Sequence, residues 1–210
     1  MKNQINHSNQ RLNNQLSRLI FATNNQHKVD EIKVIIGTQF NVVTLKDAGI
    51  DIDIPEPHNT LEANATEKST TIHRLMGDNV FSEDTGLEVV ALNGEPGVKS
   101  ARYAGEGRDF KANIDKLLLK LEGKDNRAAQ FRTVISLIFN NKEYLFDGIC
   151  KGKIIAEEKG LKGFGYDPIF VPDGSNITFA EMTIEEKNQF SHRKKATDKL
   201  IAFLKQQFLV

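Results

Sequence analysis

Glu83 and Asp84 are adjacent carboxylates, followed by the hydroxyl of Thr85 and by Gly86. Paired acids of this kind suit a divalent cation, which takes oxygen ligands, or a general base. They equally suit a solvated turn, and their spacing alone does not choose. Four other groups carry chemistry. The hexad Thr23-Asn24-Asn25-Gln26-His27-Lys28 follows the apolar run Leu19–Ala22 and precedes Val29, Ile32 and Ile36 at helical spacing. It thus places free backbone N–H groups and the positive end of a helix dipole where an anion can bind, with Lys28 as counter-charge. The glycines of a Walker loop are missing, and an Asn-rich turn with one solvated lysine fits the same residues. Glu56 lies in a proline-fixed acidic connection and Lys68 in a helical stretch; alone, each reads as solvated. In Gly163-Phe164-Gly165-Tyr166-Asp167-Pro168, glycines flank a ring that can stack on a flat base or fill a core. Glu185-Glu186-Lys187 and Ser191-His192-Arg193 complete the set, and a basic run beside a helix is commonly a solvated end.

The elements that must position these groups alternate between strand and helix, the pattern of an α/β domain. Leu87 to Leu92 reads as a strand, which puts the two acids at its mouth with Gly86 turning the backbone. Phe40 to Leu45 reads as another strand. Asn59 and Glu62 have capping-box spacing ahead of a helix from about Thr60 to Met76. Ile114, Leu117, Leu118 and Leu121 mark a further amphipathic helix, stopped by Gly123. Ala129 to Phe139 and Glu143 to Lys151, separated by Asn140-Asn141, predict a hairpin and therefore an antiparallel part of the sheet. Thr183 and Glu186 again have capping-box spacing, and Ala196, Leu200, Phe203 and Leu204 line one face of a closing helix.

Composition limits the partners. The 28 lysines and arginines balance 28 acids, so a field that would gather polymeric nucleic acid is not expected and an anion site must be local. Cys150 is the single cysteine, which excludes an internal disulfide and fits a reducing, cytoplasmic setting. No apolar run reaches membrane-spanning length. Residues 1–17, crowded with Asn and Gln, predict a disordered tail without a signal-peptide pattern. Residues 18–210 are then one domain.

Read together and in chain order, the blocks resemble the inosine/xanthosine triphosphate pyrophosphatases. Glu83-Asp84-Thr85-Gly86-Leu87 is similar to that family's Asp-Asp-Ser-Gly-Leu core. Leu92-Asn93-Gly94-Glu95-Pro96-Gly97 resembles its Leu-x-Gly-x-Pro-Gly turn, and Ser100-Ala101-Arg102-Tyr103-Ala104-Gly105 its Ser-Ala-Arg-Tyr-x-Gly. Thr23-x-Asn25-x-x-Lys28 resembles the opening triphosphate motif, with Asn24 where glycine is usual. Asn64-Ala65-x-x-Lys68, the Phe164 block and the Lys187 and Ser191-His192-Arg193 blocks also match. Glu83 is one methylene longer than the family's aspartate.

The resemblance implies a mixed α/β fold: an elongated, twisted central sheet flanked by helices, in two lobes with a nucleotide cleft between them. It implies magnesium-dependent hydrolysis of ITP, dITP and XTP to the monophosphate and pyrophosphate. Glu56 and Asp84 would hold Mg2+, with Asp84 also the catalytic carboxylate; Glu83 has no assigned role. Substrate would meet Thr23, Asn24, Asn25, Lys28, Lys68, Thr85, Phe164, Gly165, Tyr166, Asp167, Lys187, His192 and Arg193. His192 and Arg193, as donors, would favour the six-oxygen of hypoxanthine and xanthine over adenine's amino group. A homodimer is implied as well. The alternative, motivated by Glu83 and Thr85, is a nucleotide-binding regulatory protein without hydrolysis. The related family acting on modified pyrimidine triphosphates is disfavoured by the Phe164 and His192 blocks.

Overall fold

Three long strands carry the molecule. In the computed structural model, which describes residues 18–38 and 40–208, β3 (Val80–Val89), β5 (Ala128–Phe139) and β6 (Lys142–Ile154) form the centre of a seven-stranded sheet. β3 pairs antiparallel with β5 from Val80↔Ile138 to Val89↔Ala129. β5 turns into β6 through Asn140 and Asn141, whose φ of 50° and 61° give the left-handed pair that a tight hairpin needs. β1 (Arg18–Phe21) lies parallel between β2 (Asn41–Thr44) and β3. Leu19, Ile20 and Phe21 are buried accordingly, the unbroken apolar run of a strand covered on both faces. β4 (Pro96–Gly97) pairs with β3, and β7 (Phe170–Pro172) with the end of β6. Residues 1–17, where a tail was expected, lie outside the described residues.

Among the described residues five helices flank the sheet: α1 (Gln26–Ile36), α2 (Leu61–Met76), α3 (Phe110–Lys120), α4 (Ile184–Phe190) and α5 (His192–Phe208). Leu19, Phe21 and Phe81 pack with Val29 and Ile32 of α1 and with Ala196 and Leu200 of α5. On the other side, Ile20 and Val80 pack with Ile72 of α2. Farther along the same long strands, Leu87, Phe131 and Ile154 pack with Ile114 and Leu117 of α3 and with Phe170 and Phe179. Separate cores at the two ends of shared strands make two lobes on one sheet, with a cleft where they meet. No helix among the described residues is long and apolar enough to cross a membrane.

Two local expectations are corrected. The strand expected over Leu87–Leu92 runs instead over Val80–Val89 and gives way to a 3-10 turn at Val90–Leu92, so Glu83 to Gly86 lie within it. Ladder pairing along its whole length keeps that stretch extended. Gly86 serves a close approach rather than a turn, for a Cβ there would lie 2.6 Å from the Gly97 carbonyl oxygen. At α2 the cap is Thr60, whose hydroxyl accepts the Ala63 N–H at 3.2 Å. Asn59 is not the cap, and Glu62 turns away to pair with Arg132. At α4 the box is formed as expected, with Glu186 N–H to Thr183 Oγ1 at 3.2 Å and Thr183 N–H to the Glu186 carboxylate at 2.7 Å.

Candidate active site

The pleat of β3 sends successive side chains to opposite faces, so Glu83 and Asp84 serve different partners. Asp84 faces α2, where Asn64 Nδ2 donates to its Oδ2 at 3.3 Å and Lys68 Nζ to its Oδ1 at 3.4 Å. Lys68 Nζ also donates to Glu56 Oε1 at 2.5 Å, and Arg102 Nη1 donates to Glu56 Oε2 at 3.0 Å. Burial pushes the Glu56 carboxyl up, but Lys68, Lys28 and Arg102 outweigh it and hold it at about 2. For Asp84 the balance reverses. Burial raises its carboxyl above the ordinary value despite Lys68 and Lys28. An ammonium lying between two carboxylates shows that the point between Glu56 and Asp84 takes positive charge, so this pair can hold a divalent cation. Among the described residues no group of three or more His, Cys, Asp or Glu side chains converges. A cation there would need phosphate and water oxygens to complete its shell, as magnesium commonly does.

Glu83 turns the other way. Its two oxygens accept from Arg193 Nε at 3.0 and 2.9 Å, and Lys28 Nζ lies 3.2 Å from Oε1. Burial opposes the charge on Glu83, yet Arg193 and Lys28 hold its carboxyl at about 2. Glu83 is therefore the buried anchor of Arg193 and Lys28, and its extra methylene belongs to that contact. Glu31 of α1, which the sequence reading missed, completes the cluster: it accepts from Lys187 Nζ at 2.8 Å and from Arg193 Nη1. Lys187 also donates to Asp167 at 2.7 Å, and the same Asp167 oxygen accepts the Phe164 N–H at 2.9 Å. Burial pushes the Lys187 ammonium down, but Asp167 and Glu31 raise it above its ordinary value. The only sequence signal for Glu31 was a carboxylate three positions after Lys28, on the same side of a helix turn.

These contacts settle how the basic side chains are spent. Arg193 gives Nε to Glu83 and Nη1 to Glu31, with Nη2 3.4 Å from Thr85 Oγ1. Its role in this arrangement is to hold β3, α1 and α5 together. His192 differs. Its ring stacks on Phe131 at 4.8 Å between centroids, and its Nδ1 is buried without a hydrogen-bond partner. Burial, then the charges of Arg193 and Lys187, keep the imidazole neutral by lowering it well below 6.5.

A cavity of about 210 Å³ runs past these groups. Every candidate residue lines it except Glu83, which lies beneath. Glu56, Lys68 and Asp84 are linked by hydrogen bonds, as are Phe164, Asp167 and Lys187, and Arg193, 3.4 Å from Thr85, stands between these groups; Thr23, Asn24, Asn25, Lys28, Gly165, Tyr166 and His192 also line the cavity. Asn25 caps α1 through the Lys28 N–H at 3.3 Å, which fixes that turn. Gly163, at φ 75°, lets the loop fold onto Asp167, because a Cβ there would overlap its carboxylate. The sequence reading also missed Arg102, Arg108 and Phe110; Arg108 and Phe110 line the cavity and Arg102 steadies Glu56 from outside it.

An α/β cleft that brings an acid pair and lysines together with an aromatic side chain can take a flat ligand bearing a polyanionic tail. The chain belongs to the Ham1 family, whose model matches residues 19–203. It is 51% identical over 188 residues to the dITP/XTP pyrophosphatase of Flavobacterium psychrophilum, covering 90% of this chain and 99% of that protein. A protein of the same name from Flavobacterium johnsoniae is 47% identical over 187 residues, covering 89% of this chain and 97% of its own length. Among solved structures, the Staphylococcus aureus Ham1 protein superposes with a TM-score of 0.83 at 41% identity, over 91% of this chain and all of that one.

Proposed function

We propose that this protein hydrolyses non-canonical purine nucleoside triphosphates (dITP, ITP and XTP) to the nucleoside monophosphate and pyrophosphate. The observation that carries this reading is a single cavity lined by Lys28, Lys68, Glu56 and Asp84 together with Phe164 and His192. Similarity to proteins named dITP/XTP pyrophosphatase supports it.

Glu56 and Asp84 would hold Mg2+, which neutralises phosphate charge and orients oxygen ligands when bound. Asp84 accepts the proton of the attacking water. Water adds to the α-phosphorus, the α–β phosphoanhydride bond breaks, and pyrophosphate departs with the electron pair. Lys28 and Lys68 offset the charge on that leaving group, so the site works mainly by positioning and electrostatics. Phe164 stacks on the purine. Neutral His192 lines the same cavity, and a ring N–H that it donates to the six-oxygen would be left unpaired against adenine. The family resemblance further supports a homodimer, and the buried, single Cys150 supports a cytoplasmic setting.

The test is to incubate the protein with Mg2+ and each of ITP, XTP, ATP and GTP and to measure pyrophosphate and orthophosphate. Pyrophosphate released selectively from ITP and XTP is the expected result. Orthophosphate alone would place attack at another phosphorus, and tight binding without product would replace hydrolysis by a regulatory role.

A further inference from the structure

Three rings from three elements meet at the mouth of the cavity. His27, in the first turn of α1, stacks on Phe164 with centroids 5.0 Å apart and planes 9° from parallel. Phe110, the first residue of α3, meets Phe164 at 6.2 Å and 49° and His27 at 6.5 Å and 56°. Phe164 and Phe110 line the cavity, whereas His27 does not and is exposed. The imidazole therefore covers the outer face of Phe164. Lys187 Nζ and Arg193 Cζ stand 5.3 and 5.7 Å from the centroid of the same ring. Those two cations are held by Asp167, Glu31 and Glu83.

The stack also crosses the cleft. α1 packs through Val29 and Ile32 into one core, while α3 packs through Ile114 and Leu117 into the other. His27 immediately precedes Lys28, which reaches the phosphate end of the cavity. We infer that His27 is a positioning residue: it backs Phe164 from outside, braced by Phe110, and so couples the phosphate-binding turn to the platform on which the purine stacks. This rests on the stacking role proposed for Phe164. His27 itself does not touch the substrate.

The experiment is steady-state kinetics on ITP and XTP with His27→Ala, His27→Phe, Phe164→Ala and the His27→Ala/Phe164→Ala double variant, together with inhibition by inorganic tripolyphosphate. A lost aromatic pair predicts about a two- to tenfold higher KM for His27→Ala, with kcat within about twofold. His27→Phe keeps a ring and should restore the KM. The double variant should have the KM of Phe164→Ala alone, because both changes remove one interaction. Tripolyphosphate, which has no base, should inhibit His27→Ala and the unmodified protein equally. An unchanged KM in Phe164→Ala would overturn base stacking itself. A raised KM there, combined with a normal or lowered KM in His27→Ala, or with additive effects in the double variant, would overturn the coupling and leave stacking intact. Weakened tripolyphosphate inhibition would also overturn it, by assigning His27 to the phosphates. His27 is exposed and outside the cores, so a matching thermal midpoint checks that the fold is retained.

Discussion

Replacing Asp84 by asparagine tests the chemistry and the energetics of the site together. Asp84 sits 3.4 Å from the Lys68 ammonium, and at an effective dielectric of about 20 that attraction is about 5 kcal/mol before solvation is counted. Burial nevertheless wins, for the Asp84 carboxyl is raised above its ordinary 3.8. A carboxyl whose folded value is raised costs stability once pH exceeds both its unfolded and folded values. Neutral asparagine removes that cost. Its oxygen can still accept from Asn64, and Lys68 keeps Glu56. In metal-free protein near neutral pH, the thermal midpoint of Asp84→Asn should therefore equal or exceed that of the unmodified chain. Catalysis should move the opposite way. Loss of a positioned base lowers kcat by about 10²–10⁴-fold, or about 3–5 kcal/mol of barrier. Pyrophosphate release and a calorimetric melt on the same preparation give both numbers. A kcat within tenfold of normal would remove Asp84 as the base, and a markedly lower melting point would show that its charge stabilises the fold.

Glu31→Gln removes one carboxylate from the buried cluster that holds Lys187 and Arg193, a change that typically costs about 3 kcal/mol. For a domain of this size that is a fall of about 6–12 °C in thermal midpoint by calorimetry. Burial raises the Glu31 carboxyl, but Arg193 and Lys187 lower it below its ordinary 4.5 overall. Its stabilisation is therefore present above that value and lost as pH falls through the folded value, so a denaturant series should show a shallower acid limb in Glu31→Gln. Gly148→Ala should overlap the His192 carbonyl and the Ala196 N–H, pushing α5 off β6. A loss of about 1–3 kcal/mol in urea melts and a raised KM for ITP are expected. Glu56→Gln should raise the Mg2+ concentration for half-maximal rate by at least about tenfold, measured by magnesium titration.

Much of the architecture was legible because it is local. An unbroken apolar run located β1, two strand-like runs around Asn140-Asn141 located the β5–β6 hairpin, helical apolar spacing located α1 and α5, and Thr183 with Glu186 announced the start of α4. Where the reading failed, a distant partner made the decision. Gly86 looked like a turn, but pairing with β5 keeps it extended and the approach of Gly97 requires the missing side chain. Thr60 displaced Asn59 as the cap, while Glu62 was drawn away by Arg132, seventy residues along.

For the site, the sequence by itself determined which chemical groups were available: two acids, a phosphate-suited turn before a helix, a glycine-flanked phenylalanine and a basic pair, in an order shared with one family. Which of these face the cavity and which face each other was decided by tertiary structure alone. Glu83 and Asp84 are neighbours in the chain, yet the pleat separates them, giving Asp84 to Lys68 and the cavity and Glu83 to Arg193 beneath it. Glu31 carries no motif of its own, and it matters because Lys187 and Arg193, more than 150 positions away, fold onto it. Burial sets the final balance, since the desolvation that raises the Asp84 carboxyl depends on how much protein surrounds a group, and a list of residues does not contain that quantity.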